Sequence, residues 1–187
     1  IHDQWGDFIH CIETGTIPDL EGIEQVKDNL QHFLKPNPNQ TRQLQEIRKV
    51  TGTPGWFQQI WPELCVILAT ASSPFATVIS EIRCYIGPDV SLQTLSIASS
   101  EAFLASAYDP MDLDLYKIVG SNDVIKFLPV DEPEDSRYLA QTWNIELGKK
   151  YEVILMMRDG FWQHCLGDVI DVVGFDPHDE QPLIRYI

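Results

Sequence analysis

The hydrophobic period of the chain changes near residue 63, and that change limits the fold more than any other feature. Before it, apolar residues recur every three to four positions, the spacing of one helix face. Trp5, Phe8, Ile9 and Ile12 form one such stripe. In "PDLEGIEQVKDNLQHFL" (18–34), Ile23, Val26, Leu30, Phe33 and Leu34 form a second, after Pro18-Asp19 as a start signal. "KPNPN" (35–39) stops that helix, because proline lacks the amide hydrogen and crowds the preceding turn. "QTRQLQEIRKV" (40–50) reads as a third helix with Leu44, Ile47 and Val50 inward, and "GTPGW" (52–56) closes it.

After residue 63 the pattern becomes that of strands. "LCVILAT" (64–70) is a uniformly apolar run, as in a strand buried on both faces. "SPFATVISEIRCYI" (73–86) reads as a helix and "SLQTLSIASS" (91–100) as a second strand. A strand–helix–strand unit implies a parallel pair joined by a right-handed crossover. Five further strands are expected in "LDLYKIV" (113–119), "DVIKFLPV" (123–130), "YEVILMM" (151–157), "DVIDVVGF" (168–175) and "PLIRYI" (182–187). The expected class is mixed α/β: a helical section, 1–62, packed on a mixed sheet section, 63–187, of the same domain.

With 13 Lys+Arg against 28 Asp+Glu, the net charge is −15. Such a chain lacks the cations that neutralise phosphates, so neither nucleic acid nor an anionic membrane is an expected partner. No run approaches the ~18 apolar residues of a membrane span. Cys11, Cys65, Cys84 and Cys165 are widely spaced without a C-x-x-C, which fits reduced thiols and a cytoplasmic location. The sequon Asn39-Gln40-Thr41 is read as chance, since no secretory signal accompanies it.

Several segments invite chemical readings. His164-Cys165 could be a base and a nucleophile, but neighbours on a strand point to opposite faces. The five histidines show no H-x-x-x-H spacing, and "DPMDLD" (109–114) lacks the glycine and terminal glutamate of a calcium loop. That acidic stretch, "HDE" (178–180) and "TGTPG" (51–55) read as turns. "SIASSEAFL" (96–104) ends an apolar strand with two hydroxyls and a carboxylate. There, Ser99, Ser100 and Glu101 could face phosphates and Mg²⁺, or Ser99 or Ser100 could simply cap a helix. Asp168, after Gly167, could accept the hydroxyls of a ribose, or the pair could be a hairpin turn.

The order of these segments resembles the auxin-responsive acyl-acid amido synthetases, a family within the adenylate-forming superfamily. "WFQQIWPEL" (56–64) looks like the family's tryptophan followed by Leu/Ile-Trp-Pro, and "LATASS" (68–73) like its Thr-Gly-Ser strand end. "LSIASSEAFLAS" (95–106) is similar to the Tyr-x-Ser-Ser-Glu nucleotide motif. "DVIKFLPV" resembles Phe-Glu-Phe-Leu-Pro. "LGKKYEVILMMRDGFWQHCLGDVIDVVGF" (147–175) resembles the family's Tyr-Glu, Tyr-Arg-x-Gly-Asp-Val and Val-x-Gly-Phe series.

The resemblance implies a two-step reaction. Mg-ATP adenylates a small carboxylic acid with loss of pyrophosphate, and an amino acid's amine then displaces AMP to form an amide. It implies Ser99, Ser100 and Glu101 at the phosphates, with Glu101 also catalytic and a Mg²⁺ ligand, and Asp168 at the ribose. Ile97 stands where the family motif has tyrosine, Ala71 where it has glycine, and Trp162-Gln163 and His164-Cys165 where it has two Tyr-Arg pairs. Two cations beside an anionic ligand are thereby replaced. In family order a Ser-Ser-Gly-Thr phosphate loop precedes residue 1 and a mobile domain follows Ile187. The 187 residues are therefore expected to be a central segment without ligase activity of their own. The alternatives are a non-catalytic homologue and a binding or interaction domain.

Overall fold

A computed structural model of the chain describes residues 4–47, 54–119, 125–156 and 162–187. Val50, residues 51–53 of the glycine-containing turn and residues 120–123, read as a spacer, lie outside the described residues. The chain forms two compact units, Ile1–Leu64 with Ile82–Val90, and Cys65–Glu81 with Ser91–Ile187.

The first unit holds helices α1 (Trp5–Thr14), α2 (Glu24–Gln31), α3 (Pro38–Glu46) and α4 (Trp56–Ile60). α1 ends at Gly15, whose φ of 68° is left-handed; a Cβ there would lie 2.5 Å from the Pro36 nitrogen. Only glycine meets both demands. α2 has ended by Gln31, before Pro36, and its Gln31 side chain bridges back to Gly15 O at 2.6 Å and Ile17 N–H at 3.2 Å. Pro38 opens α3, where it forfeits no helical bond, and the Asn37 side chain accepts from the Gln40 N–H at 3.1 Å. Leu44 and Trp56 are buried, and Trp56 meets Trp5 edge to face with centroids 5.3 Å apart.

The stripe expected to bury α2 does not do so. Val26, Leu30, Phe33 and Leu34 are exposed, Phe33 by 82%. Non-helical backbone persists to Ile23, and Phe33 and Leu34 follow the last helical residue, so no continuous face forms. Phe33→Ser is accordingly expected to change unfolding stability by less than about 0.5 kcal/mol in urea. A loss of 2 kcal/mol or more would place Phe33 in a packed interior.

In the second unit, β1 (Val66–Leu68) and β2 (Ser91–Gln93) pair in parallel, with α5 (Ile79–Ile86) between them in sequence. The strand–helix–strand reading holds, but β1 is not buried on both faces: Val66 and Leu68 are exposed. A two-stranded ribbon covers little of its own surface. The remaining strands form a seven-stranded sheet: β3 (Ser96–Ala98), β4 (Phe103–Ala107), β5 (Tyr116–Ile118), β6 (Ile125–Pro129), β7 (Lys150–Leu155), β8 (His164–Phe175) and β9 (Pro182–Tyr186). Its order is β3-β4-β5-β9-β8-β7-β6, and each neighbouring pair is antiparallel. The mixed α/β class thus holds, with parallel and antiparallel pairing in separate sheets. "SLQTLSIASS" contributes one strand to each.

The core of this unit includes Tyr116, Ile118, Ile125, Phe127, Tyr151, Val153, Leu155, Ile170, Val172 and Ile184. These positions alternate along their strands, as burial on one face requires. The buried Tyr116 hydroxyl is satisfied by Leu113 O at 3.0 Å and Thr94 Oγ1 at 2.9 Å. The acidic turn at 109–114 receives Arg185, whose guanidinium bonds Asp112 at 3.0 Å and Asp114 at 3.3 Å. Among the described residues no helix is long and apolar enough to cross a membrane.

Candidate functional site

The antiparallel pairing of β3 and β4 turns Ser99-Ser100-Glu101 into the tip of a hairpin. The helix-cap reading is overturned, because a strand rather than a helix follows. Ser99 Oγ accepts the N–H groups of Glu101 and Ala102, each at 3.2 Å, and so fixes the turn. Ser100 Oγ donates to Glu101 Oε1 at 2.7 Å. The Ser100 and Ser99 hydroxyls and Glu101's own N–H hold its carboxyl below the usual range, with a smaller contribution from His164.

The Glu101 shift fixes a direction with pH. A depressed carboxyl adds stability above its unfolded-state pKa, and that contribution disappears as pH falls through the lower folded value. Glu101→Gln is expected to flatten the acid limb of urea stability below about pH 5, where an unperturbed glutamate begins to protonate. Identical acid limbs in the two proteins would remove Glu101 from the ionised network.

His164 and Cys165 separate as alternation requires. While His164 acts on Glu101, Cys165 lines a cleft of about 150 Å³ with Glu134, Asp135 and Ser136. Cys165 is exposed. Desolvation first, then Glu152 and Glu134, push its thiol up, which disfavours the nucleophilic thiolate. Cys11, Cys84 and Cys165 are free thiols.

Gly167 and Asp168 lie inside β8 and do not form a hairpin turn. Opposite them the β7–β8 register slips: Glu152 pairs with Val169, and Ile154 with Cys165. Gly167, at φ 80°, supplies the left-handed backbone of this bulge. A bulge re-aims the side chain beside it, and Asp168 receives the Tyr186 hydroxyl from β9. Burial, then the Asp168 bond and charge, push the Tyr186 phenol far above its ordinary value. No local sequence signal marked Tyr186, which the β8–β9 pairing brings to Asp168.

A further cleft of about 190 Å³ lies where β1 and β2 end, lined by Leu68, Ala69, Thr70, Thr94, Leu95 and Ser96. The carboxyl ends of parallel strands are the usual ligand edge of an α/β sheet. Strand β3 runs from this cleft, at Ser96, to the Ser99–Glu101 turn. Among the described residues no group of three or more His, Cys, Asp or Glu is placed to hold a metal ion.

Residues 1–91 match the GH3 family N-terminal domain, and residues 118–187 match the GH3 family central domain. The chain belongs to the GH3 family. Among relatives of this GH3 chain is a probable indole-3-acetic acid-amido synthetase of Oryza sativa subsp. japonica, 27% identical over 191 residues, covering 98% of this chain and 42% of the relative. A jasmonoyl–L-amino acid synthetase of the same plant is 22% identical over 98% of this chain and 34% of its own length. An indole-3-acetic acid-amido synthetase of Arabidopsis thaliana is 23% identical over 100% of this chain and 36% of its own. This GH3 chain therefore spans about a third to two-fifths of these relatives. The solved GH3.15 acyl acid amido synthetase superposes over 100% of this chain and 33% of its own, with a TM-score of 0.77 at 21% identity, which establishes the shared fold.

Proposed function

We propose that this GH3 chain is the central part of an acyl-acid amido synthetase, an enzyme that adenylates a small carboxylic acid with ATP and joins it to an amino acid. The carrying observation is the Ser99–Glu101 hairpin, with an ionised Glu101, in the same unit as Asp168 on the β8 bulge. That pairing of hydroxyls and carboxylates is the donor set expected around a nucleotide. In this reading Asp168 accepts the ribose hydroxyls, and the Ser100 hydroxyl turns from Glu101 toward a phosphate oxygen. Ser99 chiefly holds the turn. Glu101 would hold Mg²⁺, which commonly uses one or two carboxylates together with substrate phosphates. Bound there, the ion would offset charge on the phosphates as pyrophosphate leaves. The free thiols support a cytoplasmic setting, and the net charge of −15 argues against a nucleic-acid partner.

The residues at 163–165 favour a second reading, a homologue that binds small molecules without catalysis. Gln163 and Cys165 supply no positive charge beside the phosphates, where electrostatic stabilisation is usually the largest catalytic term. Calorimetry with ATP, AMP and a panel of carboxylic acids tests both readings. Nucleotide binding together with acid-dependent pyrophosphate release in the full-length protein supports the synthetase. Binding without turnover supports the non-catalytic homologue, and no binding of any of these ligands overturns both.

A further inference from the structure

A third recess lies toward the other end of β8, roughly 20 Å beyond Asp168 at the rise of an extended strand. The 3-10 turn Thr142–Asn144 and the turn between β8 and β9 line a cleft of about 490 Å³, a size typical of small-ligand sites. Its walls combine three kinds of group. Trp143 and Phe175 are aromatic yet 68% and 41% exposed. Asp179 and Glu180 are acidic. Thr142, only 6% exposed, has a buried hydroxyl with no hydrogen-bond partner among the described residues.

The acidic groups are unequally committed. Lys117 reaches Asp176 at 2.9 Å and Asp179 at 3.1 Å, so one ammonium serves two carboxylates. Glu180 has no ion pair among the described residues. Its φ of 57° is left-handed, and its N–H donates to Asp176 O at 2.8 Å. Glycine or asparagine would occupy that backbone with less strain. A glutamate there keeps a carboxylate beside exposed aromatic faces.

We propose that this cleft binds the guanidinium group of an organic cation. A planar cation stacks on Trp143 and Phe175 faces through the ring quadrupole, and guanidinium is the side-chain cation best suited to stacking. Glu180 supplies the counter-charge from the wall of the same cleft. The site is independent of the nucleotide reading, since it shares no residue with the Ser99–Glu101 turn or Asp168.

The test is NMR titration of the 187-residue chain at constant chloride, following the Trp143 indole resonance assigned through Trp143→Phe. Butylguanidinium is compared with butylurea, its neutral planar counterpart. The expected result is a saturable shift, with butylguanidinium binding at least about tenfold more tightly than butylurea and weakened about five- to tenfold by Glu180→Gln. Glu180 is exposed, so that variant is expected to keep the native spectrum. Equal binding of the two probes, absence of saturation by either, or unchanged affinity in Glu180→Gln overturns the proposal. Acetyl-Gly-Arg-Gly-amide separates two supporting outcomes. Tighter binding than butylguanidinium indicates an arginine within a polypeptide, and equal or weaker binding indicates a free small cation.

Discussion

Replacing Phe127 by alanine is expected to lower unfolding stability by about 3–5 kcal/mol, the cost of emptying a large aromatic site that cannot collapse. Phe127 is fully buried on β6, and its ring meets Tyr151 of β7 edge to face at 6.2 Å and 78°. Its backbone is fixed from both sides. It pairs with Val153 of β7, and it exchanges hydrogen bonds with Ala140 at 3.1 and 2.8 Å. Neighbouring strands therefore cannot move in to fill the void. Domains of this size are stable by only about 5–15 kcal/mol, so much of the total would be lost. Urea unfolding followed by circular dichroism measures it, as a lower midpoint at unchanged slope. Phe127→Leu, which conserves most of the volume, is expected to cost less than about 1.5 kcal/mol. A Phe127→Ala cost below 1 kcal/mol would mean that the sheet core lies elsewhere.

The largest functional effect is expected at Asp168. If its carboxylate accepts ribose hydroxyls, Asp168→Ala removes charge-assisted hydrogen bonds worth about 1.5–3 kcal/mol. That corresponds to about a ten- to hundredfold loss of AMP affinity by calorimetry. The same change strands the Tyr186 hydroxyl, so the variant also loses stability. Tyr186→Phe separates these effects. It leaves the carboxylate on the bulge but removes its protein partner, and AMP affinity is expected to fall less than about fivefold. Equal losses in the two variants would show that Asp168 acts only through its bond to Tyr186. No loss in either would end the ribose assignment.

The residue pattern made the fold class legible because burial on one side imposes a period. Period 3.6 gave α1, α2, α3 and α5, and period 2 gave β5 to β9, while α4 went unread. It misled where a neighbour was missing. The α2 stripe and the apolar run of β1 both suggested burial, yet each is exposed because nothing within its own unit covers it. It was also blind to β4, because "FLASA" alternates weakly and follows residues that read equally well as a helix cap. At the candidate site, the hydroxyls and carboxylates were recognisable from their order. Their local conformations were not, since turn, cap and bulge use the same small and polar residues.

By itself, then, the sequence determined the change from helices to strands, the excess negative charge and the family to which the chain belongs. These depend on residue type and order alone. Only the tertiary structure decided that Ser99–Glu101 is a hairpin tip, that Gly167 bends β8 without turning it, and that Asp168 meets Tyr186. Those facts follow from strand register. Register depends on pairing between residues distant in sequence, which no local window contains.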